Sequence, residues 1–143
     1  MSALALRFAS EAEGLVGSPF RLHGRDPEHG LDCVGVALVA LRRCGIGAPD
    51  TGGYTLRLGE PARFAQRARG YGFEPACGNL LPGDLVFLRP SPCQLHLAIV
   101  SMQGGIVHAH AGLRRVVHQP PIDDWAQQSH WRFGAELETS WQP

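Results

Sequence analysis

No stretch of this sequence stays apolar long enough to cross a bilayer. The longest, Val34 to Leu41, falls far short of the roughly 20 residues a membrane helix needs. An export signal is missing too. Arg7, Glu11 and Glu13 interrupt the segment Met1 to Phe20, and no apolar stretch follows a basic start. The chain is therefore expected to be cytoplasmic as synthesised, without membrane insertion. Net charge is absent: thirteen Lys and Arg balance thirteen Asp and Glu. That balance excludes a general polyanion binder and argues against a nucleic-acid partner. Cysteines are few. Cys33, Cys44, Cys77 and Cys93 do not make a disulfide scaffold at this size, and with no export signal they read as thiols. No C-x-x-C pair occurs, which weakens a redox or structural-zinc reading. Neither a repeat nor a low-complexity segment is present.

What is there reads as an ordinary soluble domain. Hydrophobic residues make up 44% and charged residues 18% of 143, which predicts a single domain over residues 1–143. From Ala3 to Val16, Leu4, Leu6, Phe8, Ala12 and Leu15 fall near one helical stripe. Ser18 to Leu31 reads as loop. A second helix is predicted from Asp32 to Cys44, stopped by Gly45 and apolar nearly all round, as a buried central helix would be. A third, Pro61 to Arg69, has Pro in its first turn. After Pro82-Gly83 the period changes. Asp84–Leu88, Leu95–Ser101, Gly105–His110 and Leu113–His118 are short and rich in Val, Ile and Leu. Arg89 to Pro92, Gln103-Gly104 and Ala111-Gly112 separate them as turns, giving an antiparallel meander. A short turn or helix near Asp123 to Gln128, a strand from His130 to Leu137 and a loose tail from Glu138 complete the reading. Helices followed by strands predict an α+β fold.

Cys33 stands where loop turns into helix. The unpaired N–H groups and partial positive charge of a helix start favour a thiolate, which is the attacking form of the side chain. A buried structural cysteine would occupy the same position equally well. His96 and His108 tip the balance. They lie on consecutive strands joined across the Gln103-Gly104 turn, so an imidazole and its orienting partner can sit side by side. His110 shares the sheet face of His108 and is the other candidate orienter. Cys93, His96, His108 and His110 would instead suit a metal site, although their spacing fits no zinc pattern.

Four blocks of the chain resemble the NlpC / p-sixty superfamily of papain-like cell-wall cysteine peptidases. They are Asp32-Cys33-x-Gly35, Leu81-Pro82-Gly83-Asp84-Leu85-Val86-Phe87, His96-Leu97-Ala98-Ile99-Val100 and Ile106-Val107-His108-Ala109. The resemblance implies a papain-like fold in which N-terminal helices pack on a C-terminal antiparallel sheet. It implies Cys33 as nucleophile, His96 as general base and His108 as orienter, with no cofactor and no metal. The implied substrate is an amide bond in a peptidoglycan stem peptide, often beside D-glutamate. Asp32, Phe20 and Val34 are the implied substrate-binding positions, and His23, in the loop before the nucleophile, is a further candidate to line the cleft, with a solvated loop histidine as the alternative. Two of them depart from the pattern. Phe20-Arg21-Leu22-His23-Gly24 replaces the usual Tyr-x-Trp-Gly-Gly, and Val34 replaces a serine that, with the preceding Asp, helps hold a substrate amine. The short single domain resembles the phage-tail and gene-transfer-agent branch, so delivery to the periplasm or carriage in a phage-like particle is a further expectation. A non-catalytic tail or wall-binding module and an acyl transferase or thioester hydrolase using the same Cys–His pair are the alternatives.

Overall fold

The computed structural model describes residues 2–47, 61–91, 94–120 and 126–143. Helix α1, Ala3–Glu13, starts at Ser2, whose hydroxyl accepts the Ala5 N–H at 3.0 Å. It buries Leu4, Ala5, Phe8, Ala9 and Ala12, while Leu6, expected on the apolar stripe, stands off it and is only half-buried. Helix α2, Cys33–Arg43, is buried from Gly35 to Leu41 and ends with Arg42 and Arg43 in its last turn, where cations complement the helix dipole. Helix α3 spans Pro61–Gly70. Among the described residues no helix is long and apolar enough to cross a membrane.

Between α1 and α2 the segment expected to be loop holds a small hairpin, β1 (Arg25–Asp26) and β2 (Gly30–Leu31). Two-residue strands are too short for any periodicity to betray them. The main sheet is antiparallel, with six strands: β3 (Phe73–Ala76), β4 (Leu85–Ser91), β5 (Gln94–Val100), β6 (Ile106–His110), β7 (Arg115–Gln119) and β8 (Ala126–Phe133). Their order is β3-β8-β4-β5-β6-β7, so β4 to β7 form the expected meander and β8 returns to lie between β3 and β4. Alternation assigns the two faces. Leu85, Phe87, Leu97, Ile99, Val107, Ala109, Trp131 and Phe133 join α1 and α2 in the main core, while Val86, Leu88, Ala98, Val100 and Ile106 form a smaller cluster. The fold is α+β, helices against an antiparallel sheet.

Several boundaries differ from the expectation. Arg89 to Ser91 continue β4 instead of turning, and the register between β4 and β5 shifts between Leu88 and Ser91. The turn or helix near Asp123 lies partly outside the described residues, but 126–128 are strand, and β8 stops at Phe133. The tail is not loose. Ala135–Ser140 form helix α4, and the Trp141 indole N–H donates to the Cys44 carbonyl at 2.7 Å.

The Pro82-Gly83-Asp84 turn ties these parts together. Gly83 has φ +86°, and a Cβ there would run into the carbonyl of Ala5 in α1, so only glycine allows the approach. Asp84 accepts the Leu81 N–H at 2.9 Å. It also takes both arms of Arg132 from β8 at 2.8 Å while fully buried, a link no local pattern announces.

Candidate active site

Cys33 is the first residue of α2, half-buried against the main core. Asp32 precedes it as N-cap and is heavily engaged. Its Oδ1 accepts the Gly35 N–H and an Arg25 N–H, both at 2.8 Å, and its Oδ2 accepts the His23 N–H at 2.9 Å. Arg25 also donates to the Gly24 carbonyl at 2.8 Å. A Cβ on Gly35 would strike that same carbonyl, so the glycine of the D-C-x-G block lets the β1–β2 hairpin close on the helix start. His23 is exposed, has φ +61° and reaches Asp32 through its backbone. Phe20 is half-buried; its N–H donates to the Arg114 carbonyl at 2.9 Å and it bridges to Leu31. Val34 packs on the main core and, with Leu97, lines a small apolar cavity between α2 and α3.

The histidines come from the sheet. β5 and β6 are in register at Ile99↔Val107 and Val100↔Ile106. Extending that register puts His108 opposite Ala98, on the face His96 shares. The side chains meet: His96 Nε2 lies 2.8 Å from His108 Nδ1, with the rings edge-on at 83°. His108 is buried, and its Nε2 lies 2.8 Å from Gln119 Oε1 on β7. His110 lies beside His108 at 5.6 Å between ring centres, the rings tilted at 45°, and its Nδ1 accepts the Leu113 N–H at 3.0 Å. Of the two candidate orienters, then, His108 is the one hydrogen-bonded to His96. The thiol joins the group through the backbone: the N–H groups of Leu97, next after His96, and of Val34 are directed at it.

Electrostatics reverse one expectation. A helix start was expected to lower the Cys33 pKa. Instead burial, and then the Asp32 charge, push it up to about 12, against the opposing pull of the Leu97 and Val34 N–H groups and of Arg25. Burial and the neighbouring His108 and His110 push His96 down to about 3. His108 is also lowered, chiefly by burial, although its bond to Gln119 works the other way. Burial therefore favours a neutral thiol and neutral His96 and His108 rings, against the pull of the Leu97 and Val34 N–H groups on the thiol.

Gln119 is the member sequence reasoning missed. Its only signal lies in the pairing: it stands opposite Ile106, two residues along one face from His108. As for metal, Cys93 lies outside the described residues, and among those described no group of three or more His, Cys, Asp and Glu is placed to hold an ion.

The fold and the motif now have counterparts. Residues 17–133 match the NlpC/P60 family. Among solved structures, the NlpC/p60 domain of the peptidoglycan hydrolase SagA is similar with a TM-score of 0.63 at 23% identity, over 90% of this chain and 98% of that one. NlpC1 and NlpC2 from Trichomonas vaginalis both give 0.67, at 20% and 18% identity, over 90% and 91% of this chain. The match spans 44% and 46% of those longer chains. No functionally curated protein matches the sequence. NlpC/P60 is a family of cysteine peptidases and amidases of the cell wall. With residues 17–133 matched to it, this chain belongs to the NlpC/P60 family.

Proposed function

We propose that this protein is a cysteine hydrolase that cleaves amide bonds in peptidoglycan stem peptides, with Cys33 as nucleophile, His96 as base and His108 as orienter. One observation carries the reading: the His96–His108 pair at 2.8 Å adjoins the Leu97 N–H that faces a helix-start thiol. Family membership and the similarity to a peptidoglycan hydrolase domain supply the substrate class.

The chemistry starts from a neutral pair. His96 takes the thiol proton as the sulfur attacks the amide carbon, so the thiolate exists only as it reacts. The carbonyl electrons move to oxygen, where the backbone N–H of Cys33 at the helix start is a fitting donor. The tetrahedral adduct collapses, the C–N bond breaks, and the imidazolium returns its proton to the departing amine. Water then attacks the thioester with His96 again as base, releasing the acid and the thiol. Asp32 has little capacity left for substrate, because it is already bound by Arg25, His23 and Gly35. Val34 and Phe20 offer apolar surface where a relative would present hydroxyls.

Digestion of purified muropeptides, followed by mass analysis, tests the reading. The wild type should release a stem-peptide fragment and Cys33→Ala should release none while keeping the wild-type circular dichroism. Hydrolysis by Cys33→Ala at the wild-type rate would sink the assignment.

A further inference from the structure

A line of hydrogen bonds leads away from the proposed base and ends on a residue that the reaction above does not use. His96 Nε2 lies 2.8 Å from His108 Nδ1, and His108 Nε2 lies 2.8 Å from Gln119 Oε1. Each link takes one proton. An amide oxygen only accepts, so His108 must carry its proton on Nε2. A neutral imidazole has a single N–H, which makes His108 Nδ1 an acceptor. His96 must then donate from Nε2, and its basic lone pair is thereby assigned to Nδ1. The reasoning requires neutral rings, and burial supplies them by holding both below the ordinary imidazole range.

We propose that Gln119 is a positioning residue of this site: its side-chain oxygen fixes the tautomer of His108 and, through it, the tautomer of His96. The catalytic consequence rests on the hydrolase reading; the tautomers themselves do not. Rotating the amide shows what is at stake. If Gln119 donated through its NH2 group, every proton would move one place along. His108 Nε2 would accept, His108 Nδ1–H would donate to His96 Nε2, and His96 would hold its proton on Nδ1. A ring in that form has no lone pair at Nδ1 to receive a thiol proton. One amide orientation gives a base at that nitrogen and the other gives a donor.

The sheet register explains why Gln119 can play this part. Opposite Ile106 on the edge strand β7, it is half-buried and diagonal to His108 on one face, within reach of the far ring nitrogen. The arrangement follows the general form in which a base is held by a second group and that group by a third, with the hydrogen bond at one ring nitrogen deciding the state of the other.

The test is nitrogen-15 NMR of the histidine rings, assigned with His96 and His108 variants, alongside kinetics on muropeptides. In the wild type both rings should show a protonated Nε2 and a bare Nδ1. Gln119→Glu keeps an acceptor in place and should preserve both tautomers and most of kcat. Gln119→Leu removes the acceptor. The His108 signals should then move toward a tautomer mixture, and kcat should fall by about 10–100-fold, the usual loss when a tautomer-fixing partner is removed, with KM little changed. Three results would overturn the proposal: Nδ1-protonated rings in the wild type, a Leu variant whose ring signals match the wild type, or a Glu variant no better than Leu. Should the tautomers and their response to Leu appear as stated while the wild type hydrolyses nothing, Gln119 keeps its role and the hydrolase reading falls.

Discussion

Asp32 places a negative charge beside a thiol that must lose a proton, and Arg25 answers it. The two side chains are 16% (Arg25) and 11% (Asp32) exposed and meet at 2.8 Å, so neither charge is well screened by water. Asp32 raises the Cys33 pKa and Arg25 lowers it. With the thiol pushed up to about 12, its alkylation by iodoacetamide should quicken about tenfold per pH unit from pH 7 to 10 and show no plateau. Asp32→Asn keeps an oxygen for the Gly35 N–H but removes the charge that raises the Cys33 pKa. That change favours the thiolate, so alkylation of Cys33 at pH 8 should be faster than in the wild type. Peptide mass mapping separates Cys33 from the other thiols; an Asn variant that reacts more slowly would contradict this charge balance. Asp32→Ala also loses the cap, which costs about 1 kcal/mol, and should lower the urea midpoint as well.

At the scale of elements, two glycines mark where backbones meet: Gly83 against α1 and Gly35 against Gly24. Gly35→Ala puts a methyl group into the Gly24 carbonyl, so the β1–β2 hairpin and the start of α2 must part. Overpacking of this kind costs about 1–3 kcal/mol, and a urea titration should show a lower midpoint at unchanged slope. An unshifted midpoint would mean that the hairpin yields freely. Elements with strong local signals were legible. α1 and α2 have caps and apolar stripes, and β4 to β7 alternate between turns. The elements missed are those held by partners distant in sequence. β3 reads Phe-Glu-Pro-Ala without alternation and exists as an edge strand paired to β8, a place where proline is tolerated. Helix α4 has no side-chain cap bond and is pinned by Trp141 to Cys44. The candidate site divides along the same line. Cys33, His96 and His108 were singled out by residue type and order, whereas Gln119 acquires its partner only once β7 is in place.

Across the whole molecule, burial that keeps the site neutral also sets the pH range over which the fold is stable. His96 ordinarily titrates at 6.5 but is held at about 3 in the folded chain, and His108 is lowered too. Between those values the unfolded chain binds protons that the native one refuses. Stability is therefore complete above pH 6.5 and declines as pH falls toward 3. The thiols act in the opposite sense. Cys33 is raised from 9.0 to about 12 and Cys44 from 9.0 to about 11. Above pH 9 the unfolded chain releases protons that the native one retains, so stability declines again as pH rises toward 12. The urea midpoint should accordingly form a plateau from about pH 6.5 to 9 with a slope on each side. His96→Gln should flatten the slope between pH 6.5 and 4.5, and Cys33→Ala should flatten part of the slope above pH 9, leaving the share of Cys44. A His96→Gln variant with an unchanged acid slope would show that the folded protein admits a proton at this ring, and the neutral resting pair from which Cys33 and His96 are proposed to react would have to be given up.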